Sequence, residues 1–166
     1  MAKTNGTSIH IDETMEPNTL LRTYILFVQT ARDVFRYLDA RLYREAGSSL
    51  TQMIVLQALY FQSRVMTPSA ISAWTQTESH NVTTLIRRME RDGLVNSERS
   101  RGNKRIVKVM LAEKGREMLM RIMPVAREVV DQAMQSLSID EAARLESILK
   151  TIRFGALSGL EAIHKK

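Results

Sequence analysis

The side chains with the clearest chemical use lie on one face of a helix that the sequence predicts over residues 79–92. The buried face of this helix is formed by apolar residues at helical spacing: Val82, Leu85, Ile86 and Met89. The opposite face carries hydroxyl, imidazole, amide and guanidinium groups: Ser79, His80, Asn81, Thr83, Thr84, Arg87 and Arg88. Amide and guanidinium groups pair with adenine and guanine edges, and threonine methyls contact thymine. The face therefore favours recognition of double-stranded DNA over the ordinary alternative, a solvated helix surface.

A second cluster of cations follows this helix, between two strand patterns at residues 94–99 and 105–111. The segment between them contains Gly102 and is too polar to bury, which is typical of a hairpin turn. Four residues of the hairpin are candidates for contacts with a DNA backbone or minor groove: Arg101, Asn103, Lys104 and Arg105. The alternative is that the cations only protect a sheet edge from aggregation. Their position beside the polar helix favours the DNA contact.

The polar helix is preceded by a shorter helix with clear boundaries. Thr67 and Pro68 form a helix start, because the threonine hydroxyl caps the first turn and proline already has a helical φ. This helix is predicted over residues 68–74, a polar break follows at 75–77, and Gly93 ends the second helix. Two helices followed by a basic hairpin predict a winged helix-turn-helix, in which the second helix enters the major groove.

The segment from Val82 to Gly115 resembles the MarR family of bacterial transcriptional regulators. The resemblance is carried by VTTLIRRMERDGLV, the short polar wing and RIVKVMLAEKG, and it extends over residues 20–157. The chain departs from the family pattern at three positions, where Asp, Thr and often Gly are usual: Asn103, Ala112 and Gln76. The resemblance implies that Arg105 inserts into a minor groove and is oriented by the residue two positions earlier.

The rest of the chain is dominated by long amphipathic helices, predicted over residues 19–46, 50–61, 113–137 and from 139 to about 160. Capping boxes at Ser49 and Ser138 open the second and the last of them. Pro124 should kink the third, because proline removes a backbone donor and crowds the preceding turn.

The apolar stripes of the first and last helices are wider than one small winged lobe could cover. We therefore expect a homodimer with two-fold symmetry. The predicted organisation is a flexible arm at residues 1–18, a helical dimerisation region formed by 19–46 with 113–166, and a DNA-binding domain at 47–112. The fold class is mainly α, with one small antiparallel β-hairpin as the wing.

Composition narrows the class of protein. The 166 residues, 44% of them hydrophobic, are enough for one domain or a compact two-lobed unit. A net charge of +6 suits a polyanion, either nucleic acid or an anionic membrane. The absence of cysteine excludes a disulfide framework and a thiol redox switch. No apolar run approaches the ~20 residues of a transmembrane helix and no signal-peptide core is present, so we expect a soluble cytoplasmic protein without membrane contact.

Aromatic and basic residues are candidates for a small-molecule site, because the resembled family places small, often aromatic effectors between its dimer helices and its winged lobe. The candidates are Arg22, Tyr24, Tyr37, Arg41, Tyr60 and Trp74. The alternative is that the rings are packed core residues and the arginines surface charges. His10, His80 and His164 are too far apart in sequence for a metal site, and no enzyme motif is present, so we expect neither a cofactor nor catalysis.

These observations favour one function and leave two alternatives. The favoured function is a ligand-responsive transcriptional regulator, most simply a repressor, that binds a pseudo-palindromic operator as a homodimer. An architectural DNA-binding protein without an effector would show the same basic helix face. A protein–protein adaptor that uses the winged fold would not need this face, so the basic helix and wing argue against it.

Overall fold

The computed structural model describes residues 19–62, 65–99 and 106–164. The helices of the described chain are α1 (Thr19–Ala46), α2 (Leu50–Phe61), α3 (Pro68–Thr75), α4 (Ser79–Arg91), α5 (Glu113–Met134) and α6 (Ile139–His164). The strands are β1 (Val65–Met66), β2 (Val95–Arg99) and β3 (Val107–Leu111). The fold is mainly α with a small antiparallel sheet, so the predicted winged helix-turn-helix class is confirmed. The predicted arm at 1–18 lies outside the described residues.

The wing belongs to a three-stranded sheet rather than to an isolated hairpin. The strand order is β1-β3-β2 with both pairs antiparallel, and Val65 lies opposite Met110. The sequence prediction missed β1, because two residues are too few to show an alternating pattern. It also began both wing strands too early, since β2 starts at Val95 and β3 at Val107.

Local hydrogen bonds fix the starts of three helices. The Ser49 hydroxyl accepts the Gln52 N–H at 3.3 Å, and the Gln52 side chain accepts the Ser49 N–H at 3.0 Å, so the predicted capping box forms. The Thr67 hydroxyl accepts a backbone N–H from the first turn of α3. Ser138 and Glu141 form the second predicted capping box, ahead of α6.

The turn between α3 and α4 contains a residue in the left-handed conformation. Gln76 has φ 53° and ψ 34°, and its N–H donates to the Ser72 carbonyl. Glycine adopts this conformation without the Cβ clash that other L residues incur. The Ser72 hydroxyl also donates to the Thr77 carbonyl at 2.5 Å. The glutamine therefore does not prevent the tight turn that brings α4 across α3.

The two C-terminal helices differ from the sequence prediction at their ends. α5 ends at Met134 rather than at residue 137, and it continues through Pro124 without a break. α6 continues to His164, beyond the predicted end. Of the described α6 side chains, only Leu145 and Leu149 are half-buried, and the others are exposed. Among the described helices, none combines the length and the apolar character of a membrane-spanning segment.

One hydrophobic core joins the winged region to the long helices. Its fully buried members include Leu42 of α1, Leu56 and Leu59 of α2, and Leu119 and Ile122 of α5. α1 packs chiefly on α5, and α2 packs on both. The same core includes buried residues of α3, α4 and the sheet, so it connects the helix-turn-helix to α1 and α5.

A close backbone approach lies where α4, β2 and α5 meet. Gly93 follows α4 with φ +74°, and the next carbonyl, that of Leu94, accepts the Ala112 N–H at 3.1 Å. Gly115 in the first turn of α5 is buried against the same carbonyl, where an added Cβ would lie 2.0 Å from the oxygen. We call these four residues the α4–α5 joint. The joint fixes the direction in which α5 leaves the winged region.

Substitution within this joint should show how much the fold depends on it. Gly115→Ala should lower the free energy of unfolding by about 3 kcal/mol or more, because the backbone must move to relieve overpacking. Gly159→Ala in α6 is the control, since a Cβ there meets no described atom within 4 Å. That control should be neutral or stabilising by up to ~1 kcal/mol, the helix preference of alanine over glycine. Urea unfolding followed by circular dichroism measures the stability of the two variants. Equal stabilities of the two would contradict the close approach of Gly115 to the Leu94 carbonyl.

Candidate nucleic-acid interface

α4 is oriented by its apolar side. Val82, Ile86 and Met89 are buried and Leu85 is half-buried, as the spacing of the apolar residues predicts. Successive residues of an α-helix are about 100° apart around its axis, so the residues on the opposite side must project away from the core. The packing of four side chains therefore decides which part of α4 faces solvent.

The structure brings most of the predicted DNA-binding residues together on this exposed side. Six of them have exposed side chains on α4: His80, Asn81, Thr83, Thr84, Arg87 and Arg88. Ser79 is the first residue of the same helix. His80 Nδ1 lies 3.5 Å from Glu78 Oε2, with both side chains about three-quarters exposed. This contact is an ion pair only when the imidazole is protonated, and at such exposure it contributes little to stability.

The exposed side of α4 also includes a cation that is not among the predicted contact residues. Arg91 is exposed in the last turn and lies four residues after Arg87. Residues at this spacing share a helix face, so the spacing alone could have identified it. With Arg88, the two form a basic group at the C-terminal half of the helix, where cations also interact favourably with the helix dipole.

A groove separates α4 from β2, and we call it the α4–wing groove. Its wall contains two cations and two acids: Arg87, Glu90, Glu98 and Arg99. The Glu90 carboxylate accepts the backbone N–H of Ser97 at 2.9 Å, so α4 is bonded directly to the outer strand of the wing. Glu90 was not among the predicted site residues, because its partner is a backbone group that no residue pattern reveals.

The tip of the wing lies outside the described residues. Four predicted contact residues fall there: Arg101, Asn103, Lys104 and Arg105. The last strand pair before the tip is Arg99 opposite Val107. The assignment of DNA contacts to the tip therefore stays a prediction from the sequence.

The six candidate effector residues lie on three helices. Arg22 and Tyr24 belong to the first turns of α1, where Tyr24 is exposed, and Trp74 lies in α3 with 41% of its surface exposed. Tyr60 is half-buried in α2, with the Arg116 guanidinium 5.6 Å from its ring centre. The structure brings two of the six together, Tyr37 and Arg41, whose side chains are hydrogen-bonded at 3.0 Å.

Arg41 is surrounded by acceptors from α1 and α5. Its guanidinium donates to Glu45, to Tyr37 Oη, to Gln132 Oε1 at 3.3 Å and to Glu128 Oε2 at 2.9 Å. Its hydrogen bond with Glu45 raises the pKa of Arg41, and the same bond is the main reason that the pKa of Glu45 falls to about 2. An effector carboxylate at Arg41 would have to compete with two carboxylates already bound. Among the described residues, no three His, Asp or Glu side chains are grouped so that they could hold a metal ion.

The Arg41–Glu45 pair should make stability depend on pH. A carboxylate whose pKa is lowered to about 2 stabilises the fold at neutral pH, and this stabilisation is lost as the pH falls from its ordinary pKa toward 2. Glu45→Gln should therefore lower the free energy of unfolding at pH 7, and its difference from wild type should shrink toward pH 2. Glu117→Gln is the control, since this exposed carboxylate of α5 has no ion pair among the described residues. Urea titrations at pH 7 and pH 3 measure the effect, and a difference that stays constant would mean that the pair does not form in solution.

Comparison with known sequences gives a family match. The model of the MarR family matches residues 46–106, which run from the end of α1 to the start of β3. The uncharacterized HTH-type transcriptional regulator YkoM of Bacillus subtilis (strain 168) is 30% identical over 135 residues, which are 81% of this chain and 86% of that protein.

Solved structures share the fold. A MarR family transcriptional regulator from Streptomyces coelicolor, solved in complex with DNA, is 22% identical with a TM-score of 0.75, covering 82% of this chain and 90% of that one. An organohalide-sensing transcriptional regulator, solved with 2,4-dichlorophenol, is 23% identical with a TM-score of 0.77, covering 94% of this chain and 90% of that one. With the family model matching the helix-turn-helix and a curated regulator matching most of the length, the chain belongs to the MarR family of transcriptional regulators.

Proposed function

We propose that this chain is a homodimeric transcriptional regulator that binds operator DNA through α4 and the wing, and that a small effector controls the binding. The observation that carries the proposal is the exposed side of α4. Its hydrogen-bonding and cationic side chains project from a helix whose other side is fixed in the core. A helix presented in this way fits the major groove, where amide and guanidinium groups read base edges.

The charge of the protein supports a polyanionic partner. The net charge is +6, and three arginines lie within five residues at the end of α4: Arg87, Arg88 and Arg91. Lysine and arginine contacts with phosphates release counterions, which gives affinity that depends on salt but not on sequence. The relative from Streptomyces coelicolor was solved with DNA, which supports the same partner here.

The exposed apolar surface of the terminal helices supports a homodimer. Several large apolar side chains of α6 lie in solvent, among them Ile139, Ile148, Phe154, Leu160 and Ile163. α1 exposes another group near its start, which includes Leu20, Leu21 and Tyr24. Apolar residues three or four positions apart on a helix are neighbours, and exposed neighbouring apolar side chains are typical of an interface. We propose that residues 19–46 with 113–166 form the dimerisation region and that 47–112 form the DNA-binding domain.

The effector and the sign of regulation are proposed by analogy. The organohalide-sensing relative was solved with 2,4-dichlorophenol, which supports a small aromatic ligand. A ligand releases DNA only if it binds the DNA-free conformation more tightly than the DNA-bound one. In a dimer, such a ligand would act by changing the spacing of the two α4 helices, and loss of a repressor from its operator would then turn transcription on.

DNA binding should depend on the arginines of α4 and on salt. The probe is a duplex that the wild-type protein selects from a random-sequence library, titrated by fluorescence anisotropy. Arg87→Ala and Arg88→Ala should each cost about 1–3 kcal/mol if the residue reads a base, with relaxed specificity at one position. A phosphate contact should instead weaken all sequences alike and reduce the salt dependence. Between 50 and 200 mM salt, affinity should fall on the order of 10³–10⁵-fold for six to ten phosphate contacts.

The control for this experiment is Arg121→Ala, which removes an exposed arginine of α5. It should leave affinity, specificity and salt dependence close to those of the wild type. If no duplex is enriched in the selection, or if affinity hardly changes with salt, DNA is not the partner.

Dimerisation should depend on the apolar surface of α6. Ile148→Asp combined with Ile152→Asp should raise the dimer dissociation constant at least about 100-fold, because an unpaired buried carboxylate costs several kcal/mol. The control is Ser147→Asp, which adds a carboxylate at an exposed polar position of the same helix. Analytical ultracentrifugation measures the oligomeric state. If the double variant still forms a dimer at the protein concentrations at which the wild type does, the interface lies elsewhere.

A further inference from the structure

We propose that Glu90 is the positioning residue that sets the wing relative to the recognition helix. This inference rests on the proposed function, in which α4 and the wing contact the same DNA. It assigns to Glu90 a role opposite to the one its charge suggests, because a carboxylate beside DNA ordinarily weakens binding.

The bond joins α4 to β2, an edge strand of the described sheet. The strand order β1-β3-β2 leaves one edge of β2 without a strand partner. Ser97 lies opposite Val109 in the middle of the β2–β3 ladder, and its N–H donates to Glu90 Oε1 at 2.9 Å. N–H groups of a strand alternate between its two edges, so this one faces away from β3. Glu90 therefore occupies the edge of β2 at which another strand could pair.

The bond lies two residues before the described end of β2. Ser97 is followed in β2 by Glu98 and Arg99, after which the chain enters the tip. Glu90 lies in the last turn of α4, three residues after Arg87, so the two side chains share one side of the helix. Holding Ser97 thus fixes the spacing between the cations of α4 and the base of the tip.

This spacing matters because a winged protein must match two features of DNA at once. The recognition helix lies in the major groove while the wing reaches the neighbouring backbone or minor groove. The DNA sets the spacing between those features. A wing that can move relative to α4 therefore either loses contacts or becomes ordered only when it binds. Ordering on binding reduces affinity, and a pre-formed arrangement avoids that loss.

The Ser97 side chain shows that the strand is held through its backbone. Ser97 Oγ is buried without a hydrogen-bond partner among the described residues. Its hydroxyl therefore does not attach β2 to α4, whereas its backbone N–H does so through the Glu90 carboxylate. A charged acceptor makes a stronger hydrogen bond than a neutral one, which suits an exposed position where water competes.

Two variants separate positioning from charge. Glu90→Ala and Glu98→Ala each remove one carboxylate from the α4–wing groove, but only the first removes the bond to Ser97. If charge alone matters, both should strengthen DNA binding by a similar factor. If Glu90 positions the wing, Glu90→Ala should bind the selected duplex about five-fold more weakly than Glu98→Ala, which corresponds to about 1 kcal/mol. Both variants should bind a shuffled duplex at least as well as the wild type.

A conservative variant tests the nature of the bond. Glu90→Gln keeps a side-chain oxygen that can accept the Ser97 N–H but removes the charge. It should retain most of the preference for the selected duplex over the shuffled one, whereas Glu90→Ala should lose it. The proposal would be overturned if Glu90→Gln and Glu90→Ala both bound the selected and shuffled duplexes as Glu98→Ala does.

A measurement without DNA distinguishes failure of this inference from failure of the proposed function. Amide hydrogen exchange of Ser97, followed by NMR in the free protein, should be about ten-fold faster in Glu90→Ala and unchanged in Glu98→Ala. Equal exchange in the two variants overturns the proposal whatever the DNA results show. If the wild type binds no duplex, the proposed function fails, and the exchange rates still decide whether Glu90 holds β2 against α4.

Discussion

The contact between Gly115 and the Leu94 carbonyl is the constraint on which the rest of the fold depends. It brings the first turn of α5 so close to the end of α4 that no side chain fits between them. The Leu94 carbonyl also accepts the Ala112 N–H, and Lys114 Nζ donates to the Asp92 carbonyl at 2.7 Å. The residues that directly follow α4 are thus bonded to the start of α5. Neither can rotate without breaking these contacts.

This arrangement links α4, the proposed DNA-reading helix, to α1 and α5, which belong to the proposed dimerisation region. α5 packs on α1, and Arg41 strengthens that contact by binding Gln132 and Glu128 from across the interface. A displacement of α1 relative to α5 would therefore be carried through the α4–α5 joint to α4. In the proposed dimer, the spacing between the two α4 helices would follow from how the long helices of both subunits pack. A ligand that alters this packing has a direct physical route to the DNA contacts.

The sequence predicted the features that depend on neighbouring residues in the chain. The apolar spacing of Val82, Ile86 and Met89 identified the buried side of α4, and the capping boxes at Ser49 and Ser138 marked two helix starts. Features that depend on distant partners were missed or incomplete. β1 is a strand only because it pairs with β3, and the partners of Arg41 on α5 lie about ninety residues away in the chain. Composition and periodicity do not contain this information.

Glu90 shows the same limit at the site itself. From sequence, the exposed side of α4 is a row of polar and basic residues with one acid, Glu90, to which no residue pattern gives a role. In the structure the carboxylate is turned to the edge of β2, where it accepts the Ser97 N–H. Its negative charge then lies on the wing side of the helix, while Arg88 and Arg91 remain exposed elsewhere on its surface. The fold thus separates the one acid from part of the basic surface, and a residue to which no sequence pattern assigned a role joins α4 to β2.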